Sequence, residues 1–458
     1  KIEMISFRSV ANKIGMDKAI AYSSGARVVQ GVAGVGSMFF ISAFLTGVEQ
    51  GFYFTFGSIL ALQVFFELGL TGIMTQYVAH EVSHLKLDKN LIYQGEDRYK
   101  SRLSSLLCFC VKWYFILAIL VFFFLLIVGF VYFNKYGNTQ LEKVEWRIPW
   151  VLICFATSIQ LFISPLTSIL VGLGFVKEIS KVSFYQQLIV PICTWVGLVL
   201  GFKLFVTGMG YLIIVIIWFA FVRRVNLDRV LYNLWIIEIR ERVVYMKEIF
   251  PYQWKIAISW ISGYFIFQTF TPVLFATEGA IVAGQMGMTL QALNAINAFS
   301  MSWINTKVPM LSGYIALKEY KQLDSVFNKT IHQMSGICIF LLISFFMVIW
   351  ILRITQLSLE EAVFADRFLG YLPMFFMMIP IFLGQYVTAW ATYLRCHKQE
   401  PFLANSVVAG VLCLLSTFFL GKNFGLYGVT IGYCSVRILL FPWAYRIYIL
   451  KRREWHNE

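Results

Sequence analysis

Residues 51–78 read GFYFTFGSILALQVFFELGLTGIMTQYV. As a helix rising about 1.5 Å per residue, the stretch is long enough to cross a hydrocarbon core of roughly 30 Å. It nevertheless carries a full charge, Glu67, near its middle, and the apolar stretch before it carries another, Arg27. A charged side chain at bilayer depth costs roughly 2.5–3.5 kcal/mol on insertion scales, so one that is kept marks a polar cavity or an internal ion pair. The two charges point to a transporter-like interior. They also leave open that Arg27 and Glu67 pair with each other.

Outward from this stretch the pattern repeats. Apolar residues make up 59% of the 458 and charged residues only 14%, with a mean hydropathy of +0.72. A soluble domain of this length needs far more charge on its surface. The apolar residues fall into twelve blocks, at 19–47, 51–79, 103–133, 150–173, 182–204, 205–222, 250–277, 279–310, 327–352, 367–394, 401–420 and 425–449. The expected fold class is therefore an all-α polytopic membrane protein of about twelve transmembrane helices. The first block follows a basic, polar start with no small-residue cleavage site, so no cleavable signal peptide is expected. The eight cysteines form no CxxC pair and do not cluster with the five histidines. They read as small buried hydrophobes, with no metal site and no disulfide expected.

The net charge of +14 is topological. Lys1, Arg8, Lys13 and Lys18 precede the first span, and Lys86, Lys89, Arg98, Lys100 and Arg102 follow the second. Arg223, Arg224, Arg229, Arg240, Arg242 and Lys247 fill the long central connection; Lys318, Lys321, Arg395, Lys398, Lys451, Arg452 and Arg453 complete that side. The other side holds only Lys135, Lys143, Arg147, Lys203, Arg353, Arg367 and Lys422. Positive-inside logic places both termini in the cytoplasm. No nucleic-acid partner is expected, and the basic excess adds contact with membrane lipids.

The central connection divides the chain into an N-terminal lobe (1–222), a cytoplasmic amphipathic linker (223–249) and a C-terminal lobe (250–458). Within the linker Leu227, Val230, Leu231 and Leu234 have helical spacing. Each half holds six spans. Ile169–Glu178 (ILVGLGFVKE) and Ala391–Glu400 (ATYLRCHKQE) end the fourth span of each half in a tight basic turn, as related halves would. Parallel six-helix repeats place the substrate at their interface.

The polar residues at depth are the candidate site. Glu67 is either a structural partner in the bundle or a carboxylate that exchanges a proton or coordinates a cation during transport. Arg27 lies about 12 Å into the first span by helical rise and either snorkels to the interface or serves an anion site. Gly31, Gly34 and Gly36 after it are expected to loosen the helix and admit close neighbours. Arg437 is central in the last span, too deep to snorkel easily, and reads as a cavity or ion-pair residue. Lys255 and Lys307 are near span ends, where snorkelling is the simpler reading. The eighth span carries Gln285, Gln291, Asn294, Asn297 and Asn305, too many amides for a lipid-facing helix. Such amides line water or sugar, or they hold the bundle together.

No GxxxxGK[ST] loop, HExxH or GxSxG motif is present. No ATP site is therefore expected on the chain, and neither a cofactor nor enzymatic activity.

Residues 51–78, continued through His80 and Glu81 and the basic connection after them, resemble the second span of Wzx-type O-antigen and polysaccharide flippases. The glycine-rich first span and the twelve-span layout are similar to the wider multidrug/oligosaccharidyl-lipid/polysaccharide exporter superfamily. The resemblance implies two six-helix lobes around a central cavity. It further implies a substrate, an oligosaccharide repeat unit linked through pyrophosphate to undecaprenol, carried across the bacterial cytoplasmic (inner) membrane for surface-polysaccharide synthesis. Guanidinium groups bind phosphate oxygens bidentately. Arg27, Arg437 and Lys255 are thus expected at the pyrophosphate, with Gln285, Asn294 and Asn297 at the sugars. Glu67 is expected to couple transport to H+ or Na+, and a polysaccharide polymerase is a partner in such pathways. Two other readings within the superfamily are a lipid II flippase and a drug/cation antiporter. The first typically has fourteen spans, and the second wants an acidic cavity. A membrane polysaccharide polymerase is the reading from another class, and it needs a larger external loop than residues 134–149 supply.

Overall fold

The computed structural model describes residues 18–88, 90–138, 143–356, 358–359, 362–397 and 401–456. Of the basic residues named above, Lys1, Arg8, Lys13, Lys89 and Lys398 lie outside the described residues, as do residues 399 and 400 of the second basic turn.

The described chain is almost wholly helical. Its helices are α1 (Lys18–Phe44), α2 (Gly47–Glu67), α3 (Leu70–Val82), α4 (Asp97–Tyr136), α5 (Arg147–Gly172), α6 (Val176–Val199) and α7 (Phe205–Arg224). There follow α8 (Leu227–Trp235), α9 (Phe250–Phe267), α10 (Phe270–Thr277), α11 (Ala280–Ala316), α12 (Tyr320–Thr355), α13 (Tyr371–Arg395) and α14 (Leu403–His456). Two short antiparallel hairpins interrupt them, one pairing Leu85–Leu87 with Tyr93–Gly95 and one pairing Ser358–Leu359 with Ala362–Val363.

Among the described residues nine helices, α9 and α10 counting together, are long and apolar enough to cross a membrane, and α2 with α3 forms a tenth span bent by 45°. As a single rod the 54 residues of α14 would be about 80 Å long. At Gly425 (φ 54°, ψ −134°) its backbone reverses, so it is two spans. The 37-residue α11 is long enough but is kept less apolar by its amides. Every one of the twelve expected blocks thus has a helical counterpart, and the protein is a multi-pass membrane protein.

By compactness the chain groups into two units. The first comprises Lys1–Ala33, Phe65–Phe130 and Glu145–Ile256. In it, glycines bring helices together where a side chain would collide. A Cβ on Gly172 would stand 2.7 Å from the Thr75 carbonyl oxygen, and one on Gly208 would stand 2.7 Å from the Leu152 side chain. The amphipathic helix expected in the linker is α8. Leu227, Val230 and Leu234 on its apolar face are buried, so that face packs against protein rather than lipid. After α8 the chain runs as a strap along the start of α4. Ser104 donates to the Ile237 carbonyl (3.1 Å), Ser101 receives the Arg240 and Glu241 amides (both 2.8 Å), and Ser105 receives the Val243 amide (3.1 Å).

The second unit comprises Gly34–Val64, Val131–Val144 and Ala257–Glu458. Its α2 and α11 touch backbone to backbone. A Cβ on Gly51 would lie 2.0 Å from the Ala280 carbonyl oxygen, and one on Gly284 would lie 2.9 Å from the Gly51 nitrogen. A tight aromatic group of Phe52, Phe56, Phe133 and Phe275 fills the space beside this crossing.

The glycines of α1 behave otherwise than expected. A side chain on Gly31 or Gly34 would meet nothing within 4 Å, and α1 runs unbroken through both. Such side chains would point into open space, and the close neighbour at Gly34 is instead Gln291 of α11, whose amide reaches the Gly34 carbonyl (3.0 Å). Close approach in α1 occurs at Gly25, 3.2 Å from the Phe184 ring.

Candidate functional site

The second span breaks at its charge. Glu67 ends α2, Leu68 (φ 51°) and Gly69 (φ 68°) both take left-handed backbone, and α3 begins at Leu70. Glycine adopts that conformation freely, whereas leucine is strained there. The break interrupts the i→i−4 ladder, so side chains must hold its ends. Thr71, one turn into α3, reaches back and donates to Glu67 Oε1 (2.7 Å). The Ser164 hydroxyl of α5 lies beside it. Glu67 is half-buried and forms no ion pair among the described residues. The pairing with Arg27 left open by the sequence is therefore not made.

Among the buried polar groups of this unit without a hydrogen-bond partner among the described residues are the Tyr114 hydroxyl on α4 and, on α5, Thr157 Oγ1 and Gln160 Oε1. Tyr114 is within electrostatic reach of Glu67. Arg27 is exposed on α1, and Lys255 is exposed at the start of α9, its ammonium 5.8 Å from the Trp254 ring.

At the linker end of the first unit, Arg102 holds two carboxylates. Its Nε donates to Glu81 Oε1 at 2.9 Å and its Nη2 to Glu248 Oε2 at 2.6 Å. Tyr77 adds a bond to the Glu248 carbonyl. Partial burial opposes ionisation of Glu248, but the Arg102 guanidinium and the Val244 N–H outweigh it and hold the carboxyl below its usual range.

In the second unit the five amides of α11 divide by role. Gln285 donates to the Asp366 carbonyl (2.8 Å) and Gln291 to the Gly34 carbonyl (3.0 Å), so both hold backbone in place. Asn294 and Asn305 are exposed, and Asn297 is half-buried. Asn294 and Asn297, three residues apart, share a helical face.

Arg437 is lodged against α13. Its Nη2 lies 2.7 Å from the point a Cβ on Gly384 would occupy, and its guanidinium carbon lies 5.9 Å from the Tyr433 ring centroid. Its Nε is buried with no hydrogen-bond partner among the described residues. Residues 257–277, 371–395 and 403–450 contain no aspartate or glutamate. The guanidinium thus sits in an acid-free helical environment, chemistry suited to an anion.

Within each unit, the predicted site residues form no hydrogen bond or ion pair with one another among the described residues. Several polar anchors escaped the sequence reading. Gln50 is buried and its amide donates to the carbonyls of Gly284 (2.9 Å) and Arg367 (3.1 Å). It follows a capping box, Thr46–Glu49, whose Ser/Thr-x-x-Glu spacing is legible. The i, i+3, i+7 spacing of Thr157, Gln160 and Ser164 was likewise a usable signal.

No protein-family model and no curated protein matches the chain. Solved structures do. An inward-facing multidrug resistance MATE family transporter of the MOP superfamily aligns over 95% of this chain and 99% of its own, with TM-score 0.59 and 14% identity. The MATE multidrug transporter DinF-BH aligns over 95% of each chain, with TM-score 0.57 and 12% identity. The lipid II flippase MurJ, in an inward closed conformation, aligns over 94% of this chain and 89% of its own, with TM-score 0.56 and 13% identity. The chain has the twelve-helix, two-lobe fold of the MATE structures.

Proposed function

We propose that the protein is a flippase that moves undecaprenyl-pyrophosphate-linked oligosaccharide repeat units across the bacterial cytoplasmic membrane for O-antigen or other surface-polysaccharide synthesis, by alternating access. The observation that carries this reading is Arg437, a guanidinium set among the helical segments 257–277, 371–395 and 403–450, which hold no acid. A pyrophosphate brings about two negative charges, and guanidinium groups replace its lost hydration. The likeness to a structure described as a lipid II flippase supports the same class of work, transport of a lipid-linked substrate. Arg27 and Lys255 are the further proposed contacts for pyrophosphate, with Asn294, Asn297 and Gln285 for sugar hydroxyls. A drug/cation antiporter fits less well, because the acid-free helices around Arg437 offer a cation nothing.

With no nucleotide-binding loop, the proposed energy source is an ion gradient. One charge moved across 100 mV contributes roughly 2.3 kcal/mol. Glu67, at the break in the second span, is the proposed coupling group, and a polymerase is a proposed partner downstream.

Deletion of the gene is expected to remove a surface glycan while lipid-linked repeats accumulate. Complementation with an Arg27→Gln, Arg437→Gln double variant is expected to fail although the protein inserts in the membrane. Normal glycan export by that variant would overturn the anion assignment.

A further inference from the structure

Buried polar groups in folded proteins almost always find a partner, so a run of them without one needs a physical account. The first unit has such a run, and it leads to Glu67. Thr157, Gln160 and Ser164 on α5 are spaced i, i+3, i+7 and therefore share one face. Ser164 reaches Glu67. Thr157 Oγ1, Gln160 Oε1 and, on α4 within electrostatic reach of Glu67, the Tyr114 hydroxyl have no partner among the described residues. Leaving such a group unbonded costs the desolvation of that group with no bond in return. Sites lined by two to four polar groups are those that hold bound water.

We propose that bound water links Glu67 along this face of α5, past Ser164 and Gln160 to Thr157, forming a proton-conducting file inside the first unit. The inference rests on the coupling role proposed for Glu67 and deepens it, naming the ion and its route. The file covers about 10 Å by helical rise. It leads from Glu67 toward the Arg147 end of α5, on the side the distribution of Lys and Arg assigns away from the cytoplasm. A proton driven inward by the membrane potential enters from that side.

The chemistry favours a proton over sodium. Glu67 accepts the Thr71 hydroxyl and has the Ser164 hydroxyl beside it, so its charge is met by hydrogen donors rather than by a shell of carbonyl and carboxylate oxygens. The titratable groups around the file are Tyr114 and Cys110 on α4, Cys154 on α5, and Tyr245 from the linker strap. Thiols and phenols are ordinarily neutral near pH 7, so Glu67 is the group on the file whose charge is free to change.

The test is infrared difference spectroscopy on the full-length protein in nanodiscs, titrated with acid and base and mixed rapidly with D2O. In wild type a protonated-carboxyl band is expected to titrate and to exchange quickly, and Glu67→Gln is expected to remove it. Thr157→Val with Gln160→Met is expected to leave the titration in place and slow the exchange by about tenfold or more. Thr157→Ser, which keeps the hydroxyl, is expected to exchange as wild type does. Unchanged exchange in the double variant, or slowed exchange in Thr157→Ser, overturns the file and leaves the coupling role standing. A titrating band that survives Glu67→Gln removes both. A band that responds to sodium at constant pH replaces the proton with sodium.

Discussion

The Nη2 atom of Arg437 lies 2.7 Å from where a Cβ on Gly384 would stand, so the guanidinium occupies a place that exists because residue 384 has no side chain. Gly384→Ala must therefore displace it. In a deletion strain complemented with variants, Gly384→Ala and Arg437→Gln should reduce glycan export alike, and the double variant should be no worse than either. Full export by Gly384→Ala would show that Arg437 acts without its seat on α13.

The break in the second span depends on two left-handed residues of unequal suitability. Leu68→Gly removes a conformation that costs an L-residue about 1–2 kcal/mol, and Gly69→Val imposes one. Thermal unfolding of the purified protein should order them, with Leu68→Gly above wild type and Gly69→Val below. The opposite order would mean that side-chain packing of Leu68, not backbone freedom, holds the bend.

Gly425 joins the last two spans with φ 54° and ψ −134°, and a Cβ there would stand 1.4 Å from Glu278 Oε1. That carboxylate accepts the Leu426 amide at 2.8 Å, where the final span begins. Gly425→Ala is expected to prevent stable accumulation of the protein. Gly31→Ala and Gly34→Ala, which meet open space in α1, are expected to be neutral or to stabilise by up to about 1 kcal/mol each. Accumulation measured by quantitative blotting separates the two classes.

The linker strap should loosen in acid. Because the folded protein holds the Glu248 carboxyl below its usual range, its contribution is complete above the ordinary carboxylate value of about 4 and is lost as pH falls through the depressed folded value. Proteolysis within residues 236–249 should therefore rise at low pH in wild type. In Arg102→Met it should already be high at neutral pH, and in Glu248→Gln the acid-induced rise should shrink. A wild-type linker cut equally at all pH values would rule out the Arg102–Glu248 contact as its fastening.

The span pattern was legible because membrane insertion makes hydropathy a direct constraint on the backbone, and each apolar block has its helix. The break at Glu67 was half legible. A charge beside Leu68-Gly69 marked an irregular place, but which residues would take left-handed backbone depends on Thr71 and Ser164 being within reach. The amides of α11 were legible as a set and not by role. Gln285 and Asn294 differ because carbonyls of residues 366 and 34 stand beside one end of that helix, and no local pattern reports such distant partners. For the same reason Gly31 misled while Gly51 and Gly384 mattered. A glycine's spacing says nothing about what lies opposite it.

The crossing of α2 and α11 also sets a timetable for biosynthesis. Gln50 waits for a carbonyl 234 residues further along the chain. At ordinary rates of translation of about 5–20 residues per second, that is a delay of roughly 10–50 s. Until then, the buried amide and the bare backbone around Gly51 lie in the membrane without their partner. When the amide-rich α11 emerges, it is less apolar than its neighbours and gains a ready-made docking edge instead of open lipid. The late helix is thus recruited by the early one, and a nascent chain arrested before residue 280 should be the form most dependent on insertases and most exposed to quality-control proteolysis.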